Sequence, residues 1–131
     1  MDRKLTLDTF IPTSPEKLFK DWLNSSIHSA FTGEIAKIDP QVGGEFSAWD
    51  GYIHGKNIEL IPGKRIKQSW RTDDFPADAP DSFMVIELIA ENDGTRLTLV
   101  HSDIPDGQAD EYEKGWLEYY FQPMGKYYSS K

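Results

Sequence analysis

The sequence predicts an α+β fold in which a curved antiparallel sheet of about six or seven strands wraps a long C-terminal helix. Three observations lead there. After one strand and two short helical patterns, alternating apolar and polar runs follow one another with only short turns between them. Connections that short join antiparallel neighbours. The chain then closes on a stretch of helical periodicity from about Ala109 to Tyr128. One sheet with a long helix in its concavity is the two-layer solution for this order.

Arg3 to Ile11 alternates polar and apolar residues, and Pro12 ends the ladder. Thr13-Ser14-Pro15-Glu16 is a helix start, with a hydroxyl cap, proline at the first helical position and acid in the first turn. Leu18, Phe19, Trp22 and Leu23 form one apolar stripe on the helix that follows. Asn24-Ser25-Ser26 breaks it and caps a second short helix, Ile27 to Phe31. Glu34 to Ile38 is a short strand, and Asp39 to Gly44 is turn chemistry.

The stretch from Gly43 to Phe75 reads as three strands. Glu45 to Trp49 puts Phe46 and Ala48 on one face and Trp49 on the other, unless a bulge intervenes. Asp50-Gly51 is a hairpin turn. Tyr52 to Ile61 contains Gly55, which marks a bulge or bend of the kind a strongly curved sheet needs. After Pro62-Gly63, Lys64 to Thr72 sets Ile66, Gln68 and Trp70 on one face and charge on the other. Asp73 to Asp81 is a loop.

Ser82 to Ala90 is apolar on both faces except at Glu87, which places it centrally or under cover. Asn92-Asp93-Gly94 turns the chain into Thr95 to Ser102, where Leu97, Leu99 and His101 share a face. In the last helix Tyr112, Trp116, Tyr119, Tyr120 and Pro123 make a stripe that Leu117, Phe121 and Met124 broaden. Gly115 lets the sheet or a ligand come close, and Pro123 bends the helix.

At 131 residues the chain fits one domain, residues 1–131, able to bury roughly two-thirds of its unfolded surface. It has no cysteine, so no disulfide framework or thiolate metal site, as suits a reducing compartment. No signal peptide and no membrane span is legible, and the expectation is a cytoplasmic protein. Lys and Arg total 14 against 22 Asp and Glu, a net charge of −8, which argues against nucleic acid. Solubility is the plain meaning of that charge and a basic protein partner the sharper one.

Four Trp, six Tyr and seven Phe are the strongest signal. Trp22, Phe31, Phe46, Trp49, Trp70, Trp116 and Tyr120 can pave a ligand cavity or form a packed aromatic core. Gln68 and His101 are the polar groups on the same inward faces, able to orient a ligand. These nine are the candidate pocket residues. His101 is also the one candidate acid or base, though a lone histidine is more often a hydrogen-bonded wall or core residue. No catalytic residue is assigned. His28 and His54 lie in unrelated contexts, and no metal or cofactor signature is present. Arg71, Asp73 and Asp74 read as a solvated strand end. Monomer and homodimer are both open, since the first strand can form an exposed edge.

Phe46 to Ile53 with Trp49-Asp50-Gly51, Gly55, Glu59 to Ile66 and Gln68-Ser69-Trp70-Arg71 carry a family resemblance. So do Gly94 to Leu99, His101-Ser102, Ile104-Pro105 and Gly115-Trp116. Together they resemble the helix-grip (START/Bet v-like) proteins of the SRPBCC superfamily, in the branch named for the activator of the heat-shock protein 90 ATPase. The resemblance covers nearly the whole chain. It implies a pocket between the long helix and the sheet, often for small apolar or aromatic molecules. It also implies a chaperone partner, because the eukaryotic namesakes stimulate the chaperone's ATPase. Those carry an additional N-terminal domain, and this sequence begins directly at the first strand. Cyclase relatives in the superfamily imply a third reading, an enzyme. The first expectation is a non-enzymatic binding module, then a chaperone-linked protein, then the enzyme.

Overall fold

Side-chain caps delimit the two short helices that follow the first strand. The computed structural model describes residues 3–129. Strand β1 spans Arg3–Ile11, and α1 (Pro15–Trp22) starts where Ser14 Oγ accepts the Lys17 N–H at 3.2 Å. Helix α2 (Ser25–Thr32) is capped by Asn24 alone, whose Oδ1 accepts the Ile27 N–H at 3.0 Å. It therefore starts two residues earlier than the sequence predicts, and Ser25 and Ser26 lie inside it.

That shift explains a second difference. The predicted strand Glu34 to Ile38 shrinks to β2, Lys37–Ile38. Ser29 Oγ accepts the Ala36 N–H at 2.8 Å, and Ser25 Oγ accepts the Ile38 N–H at 2.8 Å. Serines of α2 thus take backbone donors that a longer strand would need.

The remaining strands are β3 (Glu45–Ala48), β4 (Ile53–Ile61), β5 (Arg65–Thr72), β6 (Ser82–Glu91) and β7 (Gly94–Ile104). All seven form one curved antiparallel sheet in the order β1-β7-β6-β5-β4-β3-β2. The first and last strands pair, so β1 forms one edge and β2 the other. Strand β6 lies inside the sheet, with Met84, Ile86 and Leu88 buried and Ile89 exposed on the outer face. Its turn into β7 is made by Asn92 and Asp93, both at positive φ (46° and 49°); Gly94 already belongs to the strand. The bulge in β4 falls between Asn57 and Glu59, just beyond Gly55.

The C-terminal helix is continuous but not uniform. Helix α3 (Ala109–Trp116) passes through a π-helical turn (Leu117–Phe121) into α4 (Gln122–Ser129). The Gln122 N–H bonds to the Leu117 carbonyl, one residue further back than in an α-helix. Pro123 follows directly, and its missing N–H removes a donor from the α-helical ladder at this point. Tyr112, Trp116, Tyr120, Met124 and Tyr128 are all buried. A strict four-residue spacing outruns a helix of 3.6 residues per turn, and the wider turn absorbs the drift. Leu117, predicted to broaden the stripe, is 39% exposed as a result. The core sits between this helix and the sheet, with α1 and α2 closing one end. No helix among the described residues is long and apolar enough to cross a membrane.

Candidate functional site

The Asp50-Gly51 turn brings the first wall of a cleft into place. Trp49 and Asp50 both have φ of 55° and Gly51 has 89°, so the chain reverses at once after Ala48. Trp49 thereby leaves the strand alternation, and its ring meets Tyr119 at 5.5 Å and Tyr120 at 6.3 Å between centroids. Tyr52 and Ile53 follow on the same side, Trp70 comes from β5, and Glu111, Tyr112, Gly115 and Trp116 come from α3. Tyr119 and Tyr120 complete it from the π-helical turn. The cleft measures about 420 Å³. A Cβ on Gly115 would meet only Tyr119 Cδ2, at 3.9 Å, so glycine here leaves the helix surface open beside the space.

The rings are mutually braced. Trp70 lies 5.0 Å from Tyr112 and 5.7 Å from Trp116, and Trp116 lies 4.9 Å from Tyr120. At one end hydroxyls form a polar rim. Tyr52 donates to an Asp74 carboxylate oxygen, Thr72 Oγ1 bonds to the Tyr112 hydroxyl at 2.8 Å, and that hydroxyl donates to Gln108 Oε1 at 2.6 Å. Burial and the Asp74 carboxylate push the Tyr52 phenol well above its ordinary range, so it stays a neutral donor.

Four of the nine predicted residues, Trp49, Trp70, Trp116 and Tyr120, stand on the cleft wall. The other five do not line it. Trp22, Phe31 and Phe46 are buried in the core. Trp22 packs 5.2 Å from Tyr120 and 6.1 Å from Phe31. Gln68 is 1% exposed and bonded inside the core: its Nε2 donates to Asn57 Oδ1 at 2.9 Å. Asn57 in turn donates to the Asp39 and Gln41 carbonyls, fastening the loop before β3.

His101 is fully buried with both ring nitrogens taken. Trp116 Nε1 donates to its Nδ1 at 3.1 Å, so the ring proton sits on Nε2 and is donated to Ser82 Oγ at 2.8 Å. Ser82 Oγ in turn donates a hydrogen bond to the Trp70 carbonyl at 2.6 Å. Burial lowers the His101 pKa to about 3. The imidazole is neutral and offers the cleft no lone pair; it fixes the backs of two wall tryptophans. His28 plays the matching part under Tyr120. Its Nδ1 bonds to the Trp22 carbonyl at 2.9 Å and must donate there, so Nε2 accepts from the Tyr120 hydroxyl at 2.9 Å. Sequence reasoning left His28 aside because the Tyr120 hydroxyl that it supports is 92 residues away along the chain.

Tyr112, Gly115 and Tyr119 had a sequence signal, since they flank Trp116 on one helix. Tyr52 and Glu111 had none, because a turn and a helix start place them. Among the described residues no group of three or more His, Asp or Glu is gathered to hold a metal ion.

A family model described as activator of Hsp90 ATPase homolog 1-like protein matches residues 12–128. The human activator of 90 kDa heat shock protein ATPase homolog 1 is 30% identical over 119 residues, 91% of this chain and 35% of that protein. The chain therefore spans about a third of the length of the curated relatives it matches. The crystal structure of PFC0360w, an HSP90 activator from Plasmodium falciparum, superposes with a TM-score of 0.84 at 24% identity, over 97% of this chain and 95% of that one. The crystal structure of Ara h 8.0201 has a TM-score of 0.77 at 14% identity with both chains fully covered, and shares the helix-grip, Bet v-like fold.

Proposed function

Since the chain belongs to the activator of Hsp90 ATPase homolog 1-like family, we propose that it docks on a heat-shock protein 90-type chaperone and modulates its ATPase. The observation that carries this reading is the alignment with the human activator, which runs along 91% of the chain rather than through one motif. The net charge of −8 supports a basic partner face. The absence of cysteine agrees with a cytoplasmic setting. The test is binding to a purified chaperone, with its ATPase rate measured alongside. The association rate should fall by about tenfold or more between 50 and 500 mM salt, because charge steering is screened. Absent binding, or salt-insensitive binding with an unchanged ATPase rate, would sink the reading.

A second reading is favoured by the cleft: a binding module for a small apolar or aromatic molecule held against Trp70 and Trp116. A space of about 420 Å³ walled by rings is of ligand size. Native mass spectrometry of freshly purified protein should show an excess mass that denaturation removes. Trp70→Ala should weaken retention by roughly tenfold through lost ring contact. Retention unchanged in both Trp70→Ala and Trp116→Ala would count against it.

A further inference from the structure

The chemistry of the cleft says more than that it is apolar. Its wall carries the rings of Trp49, Tyr52, Trp70, Tyr112, Trp116 and Tyr119, and among the described residues the one charged group lining it is Glu111. Among those residues no lysine, arginine or histidine lines it. An aromatic ring is negative on its face and positive at its edge, so a space walled by many rings attracts a cation wherever a face is turned to it. Glu111 adds a full negative charge from the first turn of α3. The Tyr52 hydroxyl donates to the Asp74 carboxylate, which pushes electron density back into that ring and deepens its negative face. The whole chain, at −8, biases the surrounding field the same way.

We infer that the cleft takes an organic monocation, a tertiary or quaternary ammonium carried on an apolar or aromatic body. This rests on the second reading above, that the cleft holds a small molecule. A neutral apolar ligand would draw nothing from the charge of Glu111, and an anion would face that carboxylate. A cation enclosed by hydrocarbon alone would lose its hydration without return. Here a ring face turned to the space replaces part of that hydration, and the Glu111 carboxylate supplies the counter-charge.

The test separates charge from shape. The probes are 3-(trimethylammonio)phenol and 3-tert-butylphenol, nearly identical in form and differing by one positive charge. Titration calorimetry should show the cation binding about tenfold more tightly. In Glu111→Gln, at an exposed position, that preference should narrow by a few-fold. Equal affinity for the two probes in the wild-type protein overturns the inference and leaves the cleft as a site for neutral ligands. Failure of both probes to bind overturns the inference together with the reading it rests on. A preference that Glu111→Gln leaves unchanged removes the carboxylate from the account.

Discussion

Taking the protein from pH 7.5 to pH 4.5 is expected to remove roughly 5 kcal/mol of folding stability through two histidines alone. Burial lowers the pKa of His101 to about 3 and that of His28 to about 4, against 6.5 for each in the unfolded chain. A histidine whose folded pKa is depressed is neutral in the native state while the unfolded state binds a proton. Stability is therefore complete above pH 6.5 and falls with pH down to the folded values. At pH 4.5 each site has lost about two powers of ten, or roughly 2.7 kcal/mol. The whole native state is worth only about 5–15 kcal/mol, so acid should bring the fold close to its midpoint. The surroundings give no relief. Protonating His101 puts a donor on Nδ1 where the Trp116 indole already donates, and the packed rings of Trp70 and Tyr112 bring no charge. Protonated His28 would sit among Trp22, Phe31 and Tyr120. Urea melts across this range should show a steep acid limb. In a His28→Gln, His101→Gln double variant the limb should flatten even if the variant starts less stable. Parallel limbs in the two proteins would overturn the assignment.

Turn chemistry and period-2 patterning made most of the sheet legible, because local residues decide those features. The five long strands read from Arg3 to Ser102 all appear at nearly their expected bounds. What escaped depended on partners distant in the chain. The length of β2 is set by Ser25 and Ser29 hydroxyls from another element, and alternation inside Glu34 to Ile38 carries no trace of that competition. The wide turn at Leu117–Phe121 lies directly before Pro123, and it keeps one face of the helix turned inward.

The site was legible in kind and only partly in membership. Aromatic abundance pointed to rings at the sheet–helix contact, and four of them wall the cleft. Face assignment alone cannot separate a wall residue from one a layer deeper. Gln68 shares its strand face with Trp70, yet Asn57 holds its amide in the core. His101 lies on the inward face as expected, but it supports Trp116 from behind instead of reaching the space. Trp49 reads as outward on a regular strand, and only its positive φ returns it to the cleft.

Replacing Gly55 by alanine should cost about 3 kcal/mol or more, because the missing side chain is what lets β4 lie this close to its neighbour β5. A Cβ at this position would lie 1.9 Å from the Ser69 carbonyl oxygen and 2.9 Å from Phe46 Cε1. The oxygen belongs to backbone and cannot rotate aside. Strand β4 departs from its ladder here, and the Lys56 N–H turns to Ser69 Oγ at 2.9 Å; pairing resumes at Asn57 opposite Gln68, and the bulge at Asn57–Glu59 then shifts the register. Pushing the strands apart would move Ile53 and Trp49, which reach the cleft from the end of β4 and the turn before it. The substitution should therefore weaken ligand retention beyond what stability alone predicts. Gly125→Ala is the control. Gly125 has open space around its Cβ position in α4, so alanine there should stabilise by up to about 1 kcal/mol. Urea melts of both variants decide the matter. A Gly55→Ala protein within about 0.5 kcal/mol of the parent would show that the two strands can part freely, and that the curvature of the sheet does not depend on this close approach.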